Sequence, residues 1–199
     1  MPFFIQTHIH KSEITNIRNR SLFIGSCHTI EHPERRQWQD TIFPVAAQFG
    51  LTIVDRNSAS QSINQQFPHY PGDLELLPAI PYNQTQYMYN QFSHCLNVNS
   101  ITQSNTMFSR RLLEIMACGR LAISNPSLAI DHLFKDMCIQ IDHTDEARQL
   151  FSQLQFGYTA EQREMVTYAH DHVQQNYTAS AWLKSIIKIC NLDHPYLAS

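Results

Sequence analysis

The chain has 199 residues, 43% hydrophobic and 16% charged, which excludes a disordered tail and allows one domain with a sizeable core, or two very small ones. Fourteen Lys+Arg against seventeen Asp+Glu give a net charge of −3, so nothing in the bulk electrostatics asks for a nucleic acid or an anionic membrane, and no apolar run reaches the length of a membrane span. Five glycines are too few for a long glycine cradle, and five cysteines without a CxxC pair are simplest in a reducing, cytoplasmic setting.

Residues 1–20 are polar and aperiodic and read as a linker-like lead-in to a domain spanning 21–199. No basic segment followed by an apolar run marks a secretion signal, so the sequons at Asn83 and Asn176 are chance matches. Leu22 to Ser26 is a short apolar run ended by small residues, which predicts a buried strand. Pro33 suits a first helical turn, and Trp38, Ile42, Val45, Ala46 and Phe49 recur at helical spacing up to Gly50, with Pro44 expected to kink or shorten that helix. Leu51 to Val54 is a second strand. Prolines break up residues 56–81, where only Leu74 to Leu77 suggests a weak strand.

Tyr82, Gln86, Tyr89 and Phe92 mark one helical face, followed by a strand over Cys95 to Val98. The polar loop Asn99 to Thr106 leads into a helix over Met107 to Cys118, closed by Gly119. A strand at Leu121 to Ser124, a short helix near Pro126 to Phe134 and a last strand at Met137 to Ile141 follow. Three helices complete the chain, the second opened by a Thr159/Gln162 capping box and the third capped by Thr178 and striped with Trp182, Leu183, Ile186 and Ile187. Short strands, apolar on both faces and alternating with helices, imply an α/β fold with a parallel sheet covered on both sides. Ligands of such sheets bind beyond the carboxyl ends of the strands.

Two such places hold suitable residues. The turn Gly25-Ser26-Cys27-His28 precedes a helix start carrying Arg35 and Arg36, an arrangement equally suited to an anion or to two solvated arginines. The loop Ser100 to Thr106 offers hydroxyls and amides before a second helix, either for a phosphate or sugar or simply as caps. Glu114 lies in an apolar helix and needs an exposed face or a partner, and Arg110, four residues earlier, supplies an ordinary ion pair. The eleven histidines, in loose spacings such as His8/His10, His28/His32 and His170/His172, form no recognised metal-ligand set. Cys118 reads as a small core residue rather than a nucleophile, and Tyr82, Tyr87, Tyr89 and Phe92 as a core stripe rather than base-stacking aromatics.

The segment Ser104 to Ser124, SNTMFSRRLLEIMACGRLAIS, resembles the core of the nucleotide-sugar half of GT-B glycosyltransferases, most closely the CgeB-like branch of the group 1 families. Phe23-Ile24-Gly25-Ser26 with Arg35-Arg36, Asp55-Arg56-Asn57, and Leu96 to Ser100 resemble the same family in the same order, over roughly residues 20–190. The resemblance implies a Rossmann-like sheet forming a single GT-B-type C-terminal domain. It also implies a site for a nucleoside-diphosphate sugar, with no cofactor and no metal. Glu114 would hold the ribose. Ser104, Asn105, Thr106 and Met107 would approach the diphosphate and sugar. Gly25, Ser26 and Arg35 or Arg36 would lie by the phosphates, and Arg110 would neutralise the departing diphosphate.

Retaining relatives carry a second glutamate eight positions before the first, where this chain has Thr106. The resemblance also implies an N-terminal acceptor-binding domain or a partner chain. The alternative to a transferase is a non-catalytic nucleotide or nucleotide-sugar binding module, or a structural fragment whose site has decayed.

Overall fold

The structure, a computed structural model, describes residues 3–13, 16–27, 32–60 and 66–190, so His28 of the expected turn lies outside the described residues. Six strands form one parallel sheet: β1 (Arg18–Gly25), β2 (Leu51–Asp55), β3 (Leu74–Leu77), β4 (Phe92–Asn97), β5 (Leu121–Ser124) and β6 (Ile139–Gln140). Their order is β3-β2-β1-β4-β5-β6, which confirms the Rossmann-like α/β fold. The chain moves one way from β1 to β2 and β3 and the other way from β4 to β5 and β6. A crevice therefore opens between the carboxyl ends of β1 and β4.

Helices α1 (Pro33–Gln48) and α5 (Thr144–Leu154) cover one face, sealing Phe23, Ile53, Leu96 and Ile123 against Phe43 and Phe151. Each of these fully buried aromatic side chains contributes about 2–3 kcal/mol through burial. The other face carries α3 (Arg110–Ala117), α4 (Leu128–Leu133) and α6 (Ala160–Asn176) around Leu22, Ile24, Cys95 and Ala122. The remaining helices are α2 (Thr85–Asn90), entered through a 3-10 turn at Tyr82–Gln84, and α7 (Ala179–Ile189). Thr159 and Gln162 form the expected capping box, and the Thr178 hydroxyl accepts from the Ala181 amide.

Several boundaries differ from the sequence pattern for identifiable reasons. β1 begins at Arg18, although its first residues are polar, because that end of the strand pairs with Phe92 and is held by an Arg18–Glu75 ion pair of 2.8 Å. Phe92 opens β4 instead of closing the preceding helix, since its ring fills the interior of the sheet. Pro44 leaves α1 continuous: the carbonyl that loses its partner belongs to Asp40, an exposed residue where water can serve. α3 starts at Arg110 rather than Met107 because the Ser109 amide donates to Asn99 Oδ1 at 2.8 Å and holds that residue extended.

Residues 3–13 are laced onto the domain. The Ile5 amide donates to the Tyr177 carbonyl, Ile5 bridges Thr178, Asn90 bonds the backbone at Lys11 and Glu13, and Gln174 bonds the His10 carbonyl. On α7 the expected apolar stripe is only partly covered, with Trp182 tilted against Phe4 and Leu183 51% exposed.

Candidate functional site

A cleft of about 500 Å³ lies at the crevice predicted by the strand order, with Ile24 and Val54 as its apolar floor. Arg35, Arg56, Arg110 and Arg111 line it, and Glu114 is the one carboxylate among the described lining residues. Arg35 projects from the first turn of α1. It is nine-tenths buried, and its Nη2 donates to the Ser26 carbonyl at 2.6 Å while Nη1 reaches the Ser100 hydroxyl at 3.4 Å. Burial first, and then the Arg111 charge, pull its pKa down to about 10, with Cys27 opposing and Arg56 adding to the effect. Arg111 likewise has a lowered pKa, chiefly from burial. A guanidinium group made less comfortable by burial and like charges is stabilised when an anion arrives.

Gly25 makes room for this arrangement. Arg111 Nε donates to the Ile24 carbonyl at 2.6 Å and its guanidinium lies 4.6 Å from the Phe23 ring centroid. A Cβ on Gly25 would come within 2.6 Å of Arg111 Nη2. The glycine expected beside a phosphate therefore admits an arginine to the end of β1. Ser26 contributes its carbonyl, through Arg35.

Glu114 is only 6% exposed, and three donors converge on its carboxylate. Arg110 Nε and the Tyr82 hydroxyl each donate to Oε1 at 3.0 Å, and the Tyr89 hydroxyl donates to Oε2 at 3.4 Å. The Arg110 guanidinium also stacks over the Tyr82 ring at 4.6 Å. Burial, then the Glu114 charge, raises the pKa of both phenols, which keeps them as donors. The expected Arg110–Glu114 pair is thus present, but inside a cluster that the two tyrosines complete.

The loop between β4 and α3 reaches the cleft through Ser109. Asn97, Asn99, Ser124 and Asn125 bond one another in a buried network, with Asn97 Nδ2 to the Ser124 hydroxyl at 2.9 Å and the Asn99 amide to Asn125 Oδ1 at 2.8 Å. The network ties the loop to the ends of β4 and β5, with Asn97 Oδ1 left buried and unpartnered. Within it the Ser104 hydroxyl accepts from the Thr106 and Met107 amides, so Ser104 shapes the turn; Asn105, Thr106 and Met107 are exposed. Met107 lines a smaller pocket of about 190 Å³ that shares Arg35 and Ser109 with the main cleft.

Arg36 lies outside the cleft, bonded to Asp40 at 2.6 Å and to Cys27 Sγ at 2.8 Å, so of the two expected arginines the site takes Arg35. Sequence reasoning missed Arg56, Arg111, Tyr82 and Tyr89 as lining residues. For Arg56 the signal was available, since it directly follows β2. Glu34, next to Arg35, faces a separate cleft of about 570 Å³ that also holds Asp131 and Asp142 and is acidic where the first is basic. Among the described residues no three His, Cys, Asp or Glu side chains gather as a metal site, and Cys118 is fully buried. No helix among the described residues is long and apolar enough to cross a membrane.

Comparison with known proteins gives the family and the fold. A family model described as glycosyl transferase-like matches residues 63–188, the span that includes β4, the loop, α3 and Glu114. No curated protein matches the chain. Among solved structures, sucrose-phosphate synthase from Thermosynechococcus elongatus superposes with a TM-score of 0.66 at 14% identity, covering 100% of this chain and 52% of that one. T4 phage BGT, solved with UDP and Mn2+, gives 0.60 at 15% identity, covering 90% and 52%. An alpha-glucosyltransferase solved with UDP and a 13-mer DNA gives 0.60 at 12% identity, covering 92% and 57%. At these identities the likeness shows the fold, that of one half of a GT-B glycosyltransferase, and the chain spans about half the length of the structures it matches.

Proposed function

The chain belongs to the glycosyl transferase-like family, and from that premise we propose that it binds a nucleoside-diphosphate sugar and serves as the donor half of a glycosyl transfer. The observation that carries the reading is the 500 Å³ cleft at the strand-order reversal, where four arginines meet one shielded carboxylate. A ribose offers hydroxyl donors to the Glu114 carboxylate, and a diphosphate offers acceptors to Arg35, Arg56 and Arg111. In the transfer, the bond from the sugar's anomeric carbon to the diphosphate oxygen breaks while the acceptor oxygen bonds that carbon and gives up its proton. The leaving nucleotide gains negative charge, which fixed guanidinium groups stabilise more than they stabilise the intact donor. With that charge met by arginines, the reading includes metal independence and no cofactor.

Within the family we place the chain in the CgeB-like branch, on the sequence of residues 104–124. The four buried, unpaired cysteines Cys27, Cys95, Cys118 and Cys138 suit a reducing, cytoplasmic compartment. Some matched structures hold DNA, but here the net charge is −3 and four arginines, Arg35, Arg56, Arg110 and Arg111, are gathered in the donor cleft, which supports a different acceptor.

Thr106, exposed and standing where retaining relatives carry a carboxylate, favours a second reading: a module that binds the nucleotide sugar and relies on an N-terminal acceptor domain or a partner chain for transfer. Calorimetric titration with UDP, GDP and their sugars tests both. Binding that Glu114→Ala weakens about tenfold or more supports the site. Absence of binding to every nucleotide removes both readings, and binding without sugar transfer or donor hydrolysis selects the module.

A further inference from the structure

Residues 3–13 run against the Tyr82–Glu114–Arg110 cluster. His10 is fully buried, and its ring meets Tyr82 edge to face with centroids 5.6 Å apart. Tyr82 is the residue that both donates to Glu114 Oε1 and stacks beneath the Arg110 guanidinium. A phenol in that position has two ways to fail: its ring can tilt away from Arg110, or its hydroxyl can swing off the carboxylate. The His10 ring packs against the Tyr82 ring and restricts both movements. His10 itself is held from three directions. Its amide donates to the Gln6 carbonyl at 2.8 Å, its Nδ1 accepts from the Gln6 amide at 3.4 Å, and its carbonyl accepts from Gln174 of α6 at 3.1 Å.

We propose that His10 belongs to the donor site as the positioning residue that holds Tyr82 in place to orient Glu114 and Arg110. The inference rests on the nucleotide-sugar reading and adds to it one residue that precedes the sheet. The segment is anchored at both ends of this contact: Ile5 pairs with Thr178 at the start of α7, and Glu13 bonds Asn90, Gln86 and Arg120 beside α2. His10 has a lowered pKa, first through burial and then against the opposing pull of Glu114, so a neutral ring sits beside the Arg110 cation. The ring, rather than a charge, is the working part.

Three variants separate positioning from general stability: His10→Ala, His10→Phe, and Ile5→Ala as a control buried in the same segment but paired with Tyr177 and Thr178. UDP affinity is measured by calorimetry well below each variant's melting temperature. His10→Ala raises the UDP Kd about threefold to tenfold, the usual worth of an aromatic pair. His10→Phe, which keeps a ring edge on Tyr82, returns the Kd to within about twofold of the original, and Ile5→Ala lowers the melting temperature without moving the Kd. An unchanged Kd in His10→Ala overturns the proposal, as does equal weakening in Ile5→Ala or failure of His10→Phe to restore binding. Wild-type chain that binds neither UDP nor any other nucleotide overturns the nucleotide-sugar reading, and this inference with it.

Discussion

A side chain on Gly25 and the guanidinium of Arg111 cannot occupy the end of β1 together, since a Cβ there would lie 2.6 Å from Arg111 Nη2. The same Cβ would also press on the Phe23 ring, which packs against Phe43 and Phe67 in the α1-side core. Arg111 can move, but the ring cannot without disturbing that core. Gly25→Ala is therefore expected to cost about 1–3 kcal/mol of stability, in the manner of an overpacked site. It is also expected to weaken UDP binding by displacing Arg111 from the Ile24 carbonyl. Denaturant unfolding and UDP titration of the variant check the two effects separately.

Arg35 and Arg36 are neighbours in sequence with opposite surroundings. Arg35 points into the cleft and is stripped of water, whereas Arg36 is bonded to Asp40 and Cys27 outside it. Arg35→Ala and Arg56→Ala should each weaken UDP about tenfold or more, as loss of a charge-assisted contact does, while leaving uridine affinity much less affected. Arg36→Ala should leave UDP affinity within about twofold. Equal losses in the Arg35 and Arg36 variants would refute the division.

Because the cleft meets an anion with arginines, UDP affinity should fall as ionic strength rises, and uridine affinity should not. Inorganic pyrophosphate should compete with UDP. Addition of EDTA should leave UDP binding unchanged, and a strict requirement for a divalent cation would overturn the assignment of the diphosphate to arginines alone.

Much of this was legible in the residues. Alternating short strands and helices gave the parallel sheet, and β5 came out at Leu121–Ser124 as its apolar run indicates. Thr159 and Gln162 announced a helix start that the structure keeps. The order of strands was not legible, because pairing partners far apart in sequence leave no local trace; the extension of β1 back to Arg18 depends on such a partner, Phe92. For the site, Arg35 was marked by its place at a helix start after β1, whereas Arg110 and Glu114 were marked by the family resemblance of residues 104–124; all three line the cleft. Tyr82 and His10 were not, since their meeting with Glu114 depends on how residues 3–13 and the 3-10 turn pack against α3. Arg36 satisfied the same sequence pattern as Arg35, and only the direction of the first turn of α1 tells them apart.

His94 gives the fold a pH dependence whose sign follows from its burial. The ring lies inside β4, paired in register with Ser21 and Leu121 and tilted against Phe151, and desolvation pushes its pKa down to about 3 from 6.5. Its Nδ1 lies 2.8 Å from the neighbouring Ser93 hydroxyl. Between these two values the unfolded chain binds a proton that the folded chain refuses. Stability is accordingly full above about pH 6.5 and declines as pH falls toward 3, by on the order of 1 kcal/mol per pH unit for a single such group. His10 and His172, also lowered chiefly by burial, act in the same direction. Replacing His94 with leucine removes its share, so the variant's melting temperature should fall less steeply between pH 6.5 and 4 than that of the wild type. Parallel melting curves for the two proteins across that range would show that His94 does not carry the effect.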